Sequence, residues 1–300
     1  MKNFTKLSLC AMMIAGAVSV NAQGRSDLLF IAGDGAPYGY DLDKATALVA
    51  TAENANVYTG TVYLKADSEF KFLTTYSFGN DEYRSTVKTG AYPDADGKVA
   101  LRLISGEDYD YKIKVSESAN YLITVDTEAL TATIVKSAYQ DTQITFCSLF
   151  MVGGATATGW SVNAAHTMKQ DVDQPYVFKA EKEAFVESDF KLAWAIKGDE
   201  NWSAKYWYFK DPTDETKMVL GAQGDNQWNI TSAGNYDVIA NVLDNTISIK
   251  SALDGVVAVE ADAEAAEAVY YNMQGVRVAN PAQGQLVIKV ANGKAQKVVL

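Results

Sequence analysis

The chain has 300 residues, with 26 basic and 37 acidic side chains and a formal net charge of −11. An acidic surface repels phosphate backbones, so this balance argues against a nucleic-acid partner. Frequent tyrosine (17), phenylalanine (11) and tryptophan (5), together with only 5 prolines, favour a β-rich globular protein over a disordered chain.

Residues 1–22 have the pattern of a signal peptide. Lys2 and Lys6 supply a basic start, an apolar stretch runs from Leu7 to Val20, and small residues precede a cleavage site before Gln23. The apolar stretch is short for a membrane span. We therefore expect an exported protein with no transmembrane segment after signal removal. Its net charge falls to −13, because the signal contains two lysines and no acid.

The cysteines point to a protein without disulfides. Cys10 lies inside the signal, and Leu9 stands before it where a lipid-anchor motif has a small residue, so we expect no lipid anchor at this position. Cys147 is the one cysteine left after processing, which excludes an intramolecular disulfide. It lies in an apolar stretch, and we predict a small, buried side chain.

Three short motifs occur twice in the same order, which indicates an internal repeat. They are Leu29–Gly33 and Leu149–Gly153, Phe70–Phe72 and Phe190–Leu192, and Asn120–Tyr121 and Asn235–Tyr236. Self-similarity at the start, middle and end of a segment marks two copies of one domain. We predict a first repeat at residues 23–139 and a second repeat at residues 140–252.

Each repeat has the pattern of short strands separated by turns. Val57–Leu64, for example, alternates apolar with small or polar residues, as a half-buried strand does. Even strand spacing with almost no helical periodicity predicts an all-β fold. We expect two tandem β-sandwich domains, immunoglobulin-like or carbohydrate-binding-module-like. Residues 253–269 are predicted to form an acidic linker, and residues 270–300, with four bases and no acid, a small β-rich tail.

All five tryptophans lie in the second repeat. They are Trp160, Trp194, Trp202, Trp207 and Trp228. The cores of two sister domains should be alike, so this excess requires a local reason. One face of a sugar ring carries C–H groups that can lie on an exposed indole, while polar neighbours pair the hydroxyls. The pattern favours a glycan-binding surface.

The candidate glycan-binding residues follow from this argument. They are Trp202, Trp207, Trp228, Asn201 and Lys205 in the second repeat, and Tyr83 with Arg84 as a weaker equivalent in the first. Trp202, beside Asn201 in a polar loop, is the favoured platform. Trp207 fits a platform and a core position equally well. Trp160 and Trp194 are predicted to be core residues, as tryptophan in a sandwich usually is.

The order of the repeated motifs resembles that of the starch-binding repeats of SusE/SusF-type outer-membrane proteins. The resemblance implies β-sandwich modules without catalytic activity, in which aromatic rings stack on glucose and polar neighbours bond the hydroxyls. This chain lacks the lipobox and the extra amino-terminal domain of that family, which leaves lipid anchoring and starch as the ligand open. The segment Tyr271–Val278, with Gly284 and Gly293–Lys294, resembles the carboxy-terminal sorting region of Bacteroidota type IX-exported proteins.

Signals for an enzyme are few. His166 is the single histidine, so one chain cannot supply a catalytic or metal site that needs two histidines. Asp94-Ala95-Asp96-Gly97 begins like a calcium loop, but the rest of that loop is missing, and we predict a turn. We therefore expect no catalytic activity, no cofactor and no metal.

These observations favour an exported, non-catalytic glycan-binding protein that takes starch or a related polysaccharide or oligosaccharide. Outer-membrane machinery for glycan uptake or export is the expected partner. The expected location is the outer membrane, the cell surface or the extracellular medium, with the periplasm as a further candidate. The alternative is a surface or matrix protein, structural or adhesive, whose repeats mediate protein–protein contacts.

Overall fold

A computed structural model describes residues 25–52, 54–105, 111–196, 202–221, 224–252, 269–291 and 294–299. The predicted signal peptide, nearly all of the predicted acidic linker and Asn201 lie outside the described residues. Contacts between residues divide the chain into two compact units, Met1–Ser251 and Ala252–Leu300. The first unit contains both repeats and the second contains the tail.

The first repeat is an antiparallel barrel of eight strands. These are β1 (Leu28–Ala32), β2 (Thr46–Ala50), β3 (Val57–Leu64), β4 (Lys71–Leu73), β5 (Glu82–Ser85), β6 (Lys98–Ile104), β7 (Ala119–Asp126) and β8 (Thr131–Lys136). They pair in the order β1-β2-β3-β7-β8-β6-β5-β4, and β4 pairs with β1. Because β4 pairs with β1, the barrel has no free sheet edge, and every strand has a hydrogen-bonded neighbour on both sides.

The second repeat uses the same plan in a nine-stranded antiparallel sheet. Its strands are β9 (Leu149–Val152), β10 (His166–Gln170), β11 (Val177–Phe185), β12 (Ser188–Ala193), β13 (Trp207–Lys210), β14 (Met218–Leu220), β15 (Trp228–Ile230), β16 (Gly234–Asn241) and β17 (Thr246–Ser251). The order is β14-β13-β12-β9-β10-β11-β16-β17, and β15 pairs with β12. Two short 3-10 helices, Leu42–Lys44 (η1) and Ala204–Tyr206 (η2), are the helical segments of the described residues. The predicted all-β, sandwich-like fold class is confirmed.

Strand register aligns the two repeats residue by residue at their central strands. In the first repeat Phe72 pairs with Tyr83, and in the second Leu192 pairs with Tyr208. It follows that Lys71 corresponds to Lys191. Next to that lysine, the positions of Glu82 and Arg84 in the first repeat correspond to those of Trp207 and Phe209 in the second.

The two repeats share a third core in addition to their own two. Strand β1 shows how it forms, because its alternate side chains face opposite ways. Leu29 and Ile31 point into the core of the first repeat, whereas Leu28, Phe30 and Ala32 belong to the shared core. Strand β9 repeats this division. Among the second-repeat members of the shared core are Phe150, Val152, Val162, Ala165, Trp207 and Phe209. A strand buried on both faces has the continuous apolar sequence that both β1 and β9 show.

The second unit is a small antiparallel sheet. It contains β18 (Val269–Tyr271), β19 (Arg277–Val278), β20 (Leu286–Ala291) and β21 (Lys294–Val299), in the order β19-β18-β20-β21. Val287 is its fully buried side chain among those described. In the described part of the chain, no helix is long and apolar enough to cross a membrane.

Candidate functional site

Two tryptophans of the second repeat are exposed side by side. Trp160 and Trp202 are 41% and 42% exposed, and their ring centroids lie 6.4 Å apart with 43° between the ring planes. A third indole, Trp207, is stacked on Trp202 at 5.0 Å and 8°. We call Trp160, Trp202 and Trp207 the indole ledge. Trp160 and Trp202 present aromatic surface to solvent, and Trp207 packs beneath Trp202.

Trp160 is presented by a tight loop that follows β9. The Gly153 N–H donates to the Gly159 carbonyl at 3.0 Å, which closes the loop immediately before Trp160. Gly159 has φ +62°, a left-handed conformation that glycine adopts without strain. A Cβ on Gly153 would lie 2.3 Å from the Asp189 oxygen and from the Phe190 Cα, so only glycine allows this approach to β12. Gly153 and Gly159 therefore determine where the indole of Trp160 reaches the surface.

Trp202 and Trp207 are joined by the short helix η2. The Tyr206 N–H donates to the Ser203 carbonyl at 3.0 Å, which forms one turn between the two indoles. Trp207 then begins β13 and is 1% exposed. Because β13 pairs with β12, the Trp207 ring lies over the strand that carries Lys191.

Lys191 is the polar centre of the ledge. Its side chain is almost buried, and Nζ lies 4.8 Å from the ring centroid of Trp207 and 5.1 Å from that of Phe209. The same nitrogen lies 5.5 Å from the centroid of Trp160 and 5.8 Å from that of Trp202. An ammonium within about 6 Å of an aromatic face is attracted by the ring quadrupole, by about 2 kcal/mol where water is excluded. Lys191 therefore holds the rings of the ledge around one positive charge.

A carboxylate and an amide complete the polar edge of the site. The Lys191 Nζ donates to Asp225 Oδ1 at 2.7 Å, and Gln227 Nε2 donates to Asp225 Oδ2 at 2.8 Å. The hydrogen bond from Lys191 holds the pKa of Asp225 below its usual value. The Asp225 side chain is 63% exposed, so its remaining lone pairs face solvent beside the indoles. This edge can accept hydrogen bonds from ligand hydroxyl groups.

The structure differs from the sequence prediction in which tryptophans are exposed and which are buried. Trp202 is exposed, as expected of a platform. Trp228 is 2% exposed, so the expectation that it offers a ring face to solvent is wrong. Trp207, predicted as a glycan-binding residue but equally suited to a core position, is 1% exposed and takes the core position. Trp228 points inward because β15 pairs with β12; its ring packs on Phe190, and its Nε1 donates to the Glu215 carbonyl at 2.9 Å.

Trp160 was expected in the core and is instead exposed on the loop described above, which is a second correction. Trp160 follows Gly159 as Tyr40 follows Gly39 in the first repeat. This position at the end of a glycine loop is the signal in the sequence that could have indicated an exposed ring. Trp194 is half-buried and packs against both the shared core and the second-repeat core. Lys205 is exposed on η2, with Nζ 4.7 Å from the Tyr206 ring centroid. Asn201 lies outside the described residues.

The weaker pair predicted in the first repeat is not an exposed platform. Tyr83 packs against the first-repeat core. Arg84 is buried, and its guanidinium forms an ion pair with Glu82 at 2.5 Å. The cause is the alternation of side chains along β5: Tyr83 faces the barrel core, and Arg84 lies on the opposite face with Glu82.

A different aromatic pair of the first repeat occupies the position of the ledge. Tyr40 and Phe78 are exposed, with centroids 6.0 Å apart and an edge-on angle of 63°. The Lys71 Nζ lies 5.2 Å from the Phe78 centroid and 2.8 Å from Glu82 Oε2. These two rings meet edge-on beside the Lys71–Glu82 ion pair, so they offer less flat apolar surface than the indoles of the second repeat.

Comparison with known proteins gives weak similarity in structure. No protein-family model matches the chain, and no curated protein matches it. The crystal structure of SusF from Bacteroides thetaiotaomicron is similar with a TM-score of 0.28 and 16% sequence identity. The similarity covers 76% of this chain and 48% of that one, so the chain spans about half the length of SusF.

Proposed function

We propose that this protein is an exported, non-catalytic glycan-binding protein whose binding surface is the indole ledge with Lys191, Asp225 and Gln227. The observation that supports the proposal most strongly is the pair of exposed indoles, Trp160 and Trp202, 6.4 Å apart. Large aromatic rings are normally buried or partnered, and two held in solvent beside a polar edge suit a ligand with apolar and hydroxyl faces.

Starch or a related α-glucan is the proposed ligand class. The two rings are inclined by 43°, so a chain that lies on both must turn between successive sugar units. Helical α-glucan chains turn in this way, whereas flat ribbons such as cellulose suit coplanar rings. Asp225 and Gln227 stand where they can bond hydroxyls at the edge of the stacked ring.

The location proposed is the one that the signal peptide and the sorting-type tail indicate, namely the outer membrane or cell surface, or release from the cell. At such a site the protein would hold polysaccharide for outer-membrane uptake or export machinery. No catalytic role is included in this proposal.

Titration with polysaccharides while tryptophan emission is recorded tests the proposal. Soluble starch is expected to change the emission and to bind, and Trp160→Ala and Trp202→Ala are each expected to weaken binding about 5- to 10-fold because one stacking surface is lost. Trp228→Phe, a change inside the core, is the matched control and should leave affinity unchanged. Absence of binding to starch and to other glycans, with co-purification of a protein partner, would instead support the adhesion alternative.

A further inference from the structure

Tyr38 of the first repeat lies against a tryptophan of the second. Its ring stacks on Trp194 with a centroid distance of 5.3 Å and an angle of 28°. Tyr38 is half-buried in the loop that follows β1. The corresponding residue of the second repeat is Thr158, which has no ring to stack. Tyr38 is therefore a feature of the first copy that serves a contact between copies.

Trp194 in turn holds the helix η2 at three points. Its backbone N–H donates to the Tyr206 carbonyl at 3.0 Å, and its indole Nε1 donates to the Lys205 carbonyl at 3.2 Å. Its ring also meets the Tyr206 ring edge-on, at 5.4 Å and 62°. Since η2 is the turn between Trp202 and Trp207, the position of Trp194 bears directly on their stacking.

We propose that Tyr38 is a positioning residue for the indole ledge. Tyr38 of the first repeat and Phe146 of the second both stack on the Trp194 indole. Tyr38 thus helps to hold Trp194, Trp194 holds η2, and η2 sets the angle at which Trp202 meets a ligand. The consequence for binding rests on the proposed glycan function, whereas the effect on the Trp202–Trp207 stack does not. If the Tyr38 side chain were removed, the second repeat would keep its fold, but its binding surface would be less ordered.

The stack itself provides a readout that needs no glycan. Stacked indoles 5.0 Å apart couple electronically. The exciton signal of this pair in circular dichroism is the part that is lost in Trp202→Phe and kept in Trp160→Phe, which removes only the neighbouring pair of Trp160 and Trp202. Tyr38→Ala and Tyr38→Leu are expected to reduce the signal, and Tyr38→Phe to keep it because the ring remains. Tyr40→Ala is the matched control, since Tyr40 lies in the same loop and contacts Phe78 and Lys112 rather than Trp194.

Affinity for soluble starch is measured on the same variants through tryptophan emission, which reports the second repeat alone. Tyr38→Ala and Tyr38→Leu are expected to weaken binding about 2- to 10-fold, the range for loss of one aromatic pair. If Tyr38→Ala fails to fold, Tyr38→Leu, which keeps apolar bulk, decides the matter. An exciton signal unchanged in Tyr38→Leu, or reduced equally in Tyr40→Ala, would overturn the inference. If the unmodified protein binds no glycan, the proposed function fails, and the exciton signal still decides whether Tyr38 positions the stack.

Discussion

The two repeats carry a lysine at the same position, but its neighbours differ between them. Lys71 and Lys191 occupy the same place on equivalent strands, and both are almost buried. Lys71 pairs with the buried carboxylate of Glu82, which it shares with Arg84, whereas Lys191 lies among aromatic rings and reaches an exposed carboxylate. The same cation thus belongs to a buried ion pair in one repeat and to an aromatic surface in the other.

Replacement of Lys191 by methionine tests this difference. Lys191→Met keeps the apolar stem and removes the charge, and we expect the free energy of unfolding to fall by about 1–2 kcal/mol because the cation–π attraction is lost. Tryptophan emission should also change, since the rings around Nζ are indoles. Lys71→Met is the control: it should leave the emission unchanged although it disturbs a buried ion pair. Equal emission changes in the two variants would contradict the assignment.

Cys147 allows a test of burial at one atom. Its side chain is fully buried in the first-repeat core, its Sγ–H donates to the Ala47 carbonyl at 3.1 Å, and burial raises the pKa of the thiol far above its ordinary value. A thiol reagent at mildly alkaline pH should therefore not react with the folded, processed protein, because reaction requires the thiolate. One equivalent should react in denaturant, and Cys147→Ser should react in neither condition. Rapid reaction of the folded protein would show that the core is open.

Individual residues also mark what could be predicted from the sequence. The buried Cys147 was predicted because an apolar stretch surrounds it, and the prediction is confirmed. The exposure of the tryptophans could not be read in the same way. Trp228 is buried because β15 pairs with β12, a contact between segments far apart in sequence, whereas Trp160 is exposed by the glycine loop that it follows.

At the scale of the element, the glycine loop after β9 determines where the ledge stands. Its closing hydrogen bond is repeated in the first copy, where the Gly33 N–H donates to the Gly39 carbonyl at 2.9 Å. The repeated Leu-Phe-x-x-Gly motif therefore encodes one structure twice, a buried strand followed by a loop that ends in an exposed ring, Tyr40 or Trp160. The buried strand and the turn after it followed from local patterns, because strand periodicity and glycine turns are local properties, but the exposure of Trp160 was not predicted.

Gly153→Ala is expected to disturb this element strongly. The new Cβ would lie 2.3 Å from backbone atoms of β12, which cannot move without loss of the β9–β12 pairing. We expect a loss of about 1–3 kcal/mol in stability, the range for overpacking, and weaker starch binding. Gly234→Ala is the control: its nearest neighbour is a Tyr236 ring atom at 3.8 Å, so stability should stay within about 0.5 kcal/mol. Thermal unfolding of the two variants measures the difference, and equal stabilities would contradict the steric argument.

At the scale of the whole molecule, the shared core makes the two repeats one structural unit. The sequence predicted two domains at residues 23–139 and 140–252, and those boundaries stay a prediction. The additional finding is that β1 and β9 each bury a second face in a core to which both repeats contribute. Continuous apolar strands are compatible with burial inside one domain or between two, so their sequence alone could not reveal this arrangement.

Phe30→Ala tests whether the repeats unfold together. Phe30 lies in the first repeat, is fully buried and belongs to the shared core. Truncation of a buried phenylalanine lowers stability by about 3–5 kcal/mol. If the repeats are coupled, the unfolding midpoint seen by tryptophan emission, which reports the second repeat, should fall with it. Phe78→Ala, an exposed change in the same repeat, is the control. A tryptophan-monitored midpoint that does not move in Phe30→Ala would contradict coupling.

The central claim is that Trp160 and Trp202 form the surface on which a polysaccharide rests, and limited oxidation of tryptophan tests it most directly. The processed protein is treated with N-bromosuccinimide with and without soluble starch, and the modified positions are identified by mass spectrometry. We predict that Trp160 and Trp202 are oxidised first and that starch protects both together, while the buried Trp207 and Trp228 stay resistant in either case. Oxidation of Trp160 and Trp202 at the same rate with and without starch would contradict the account.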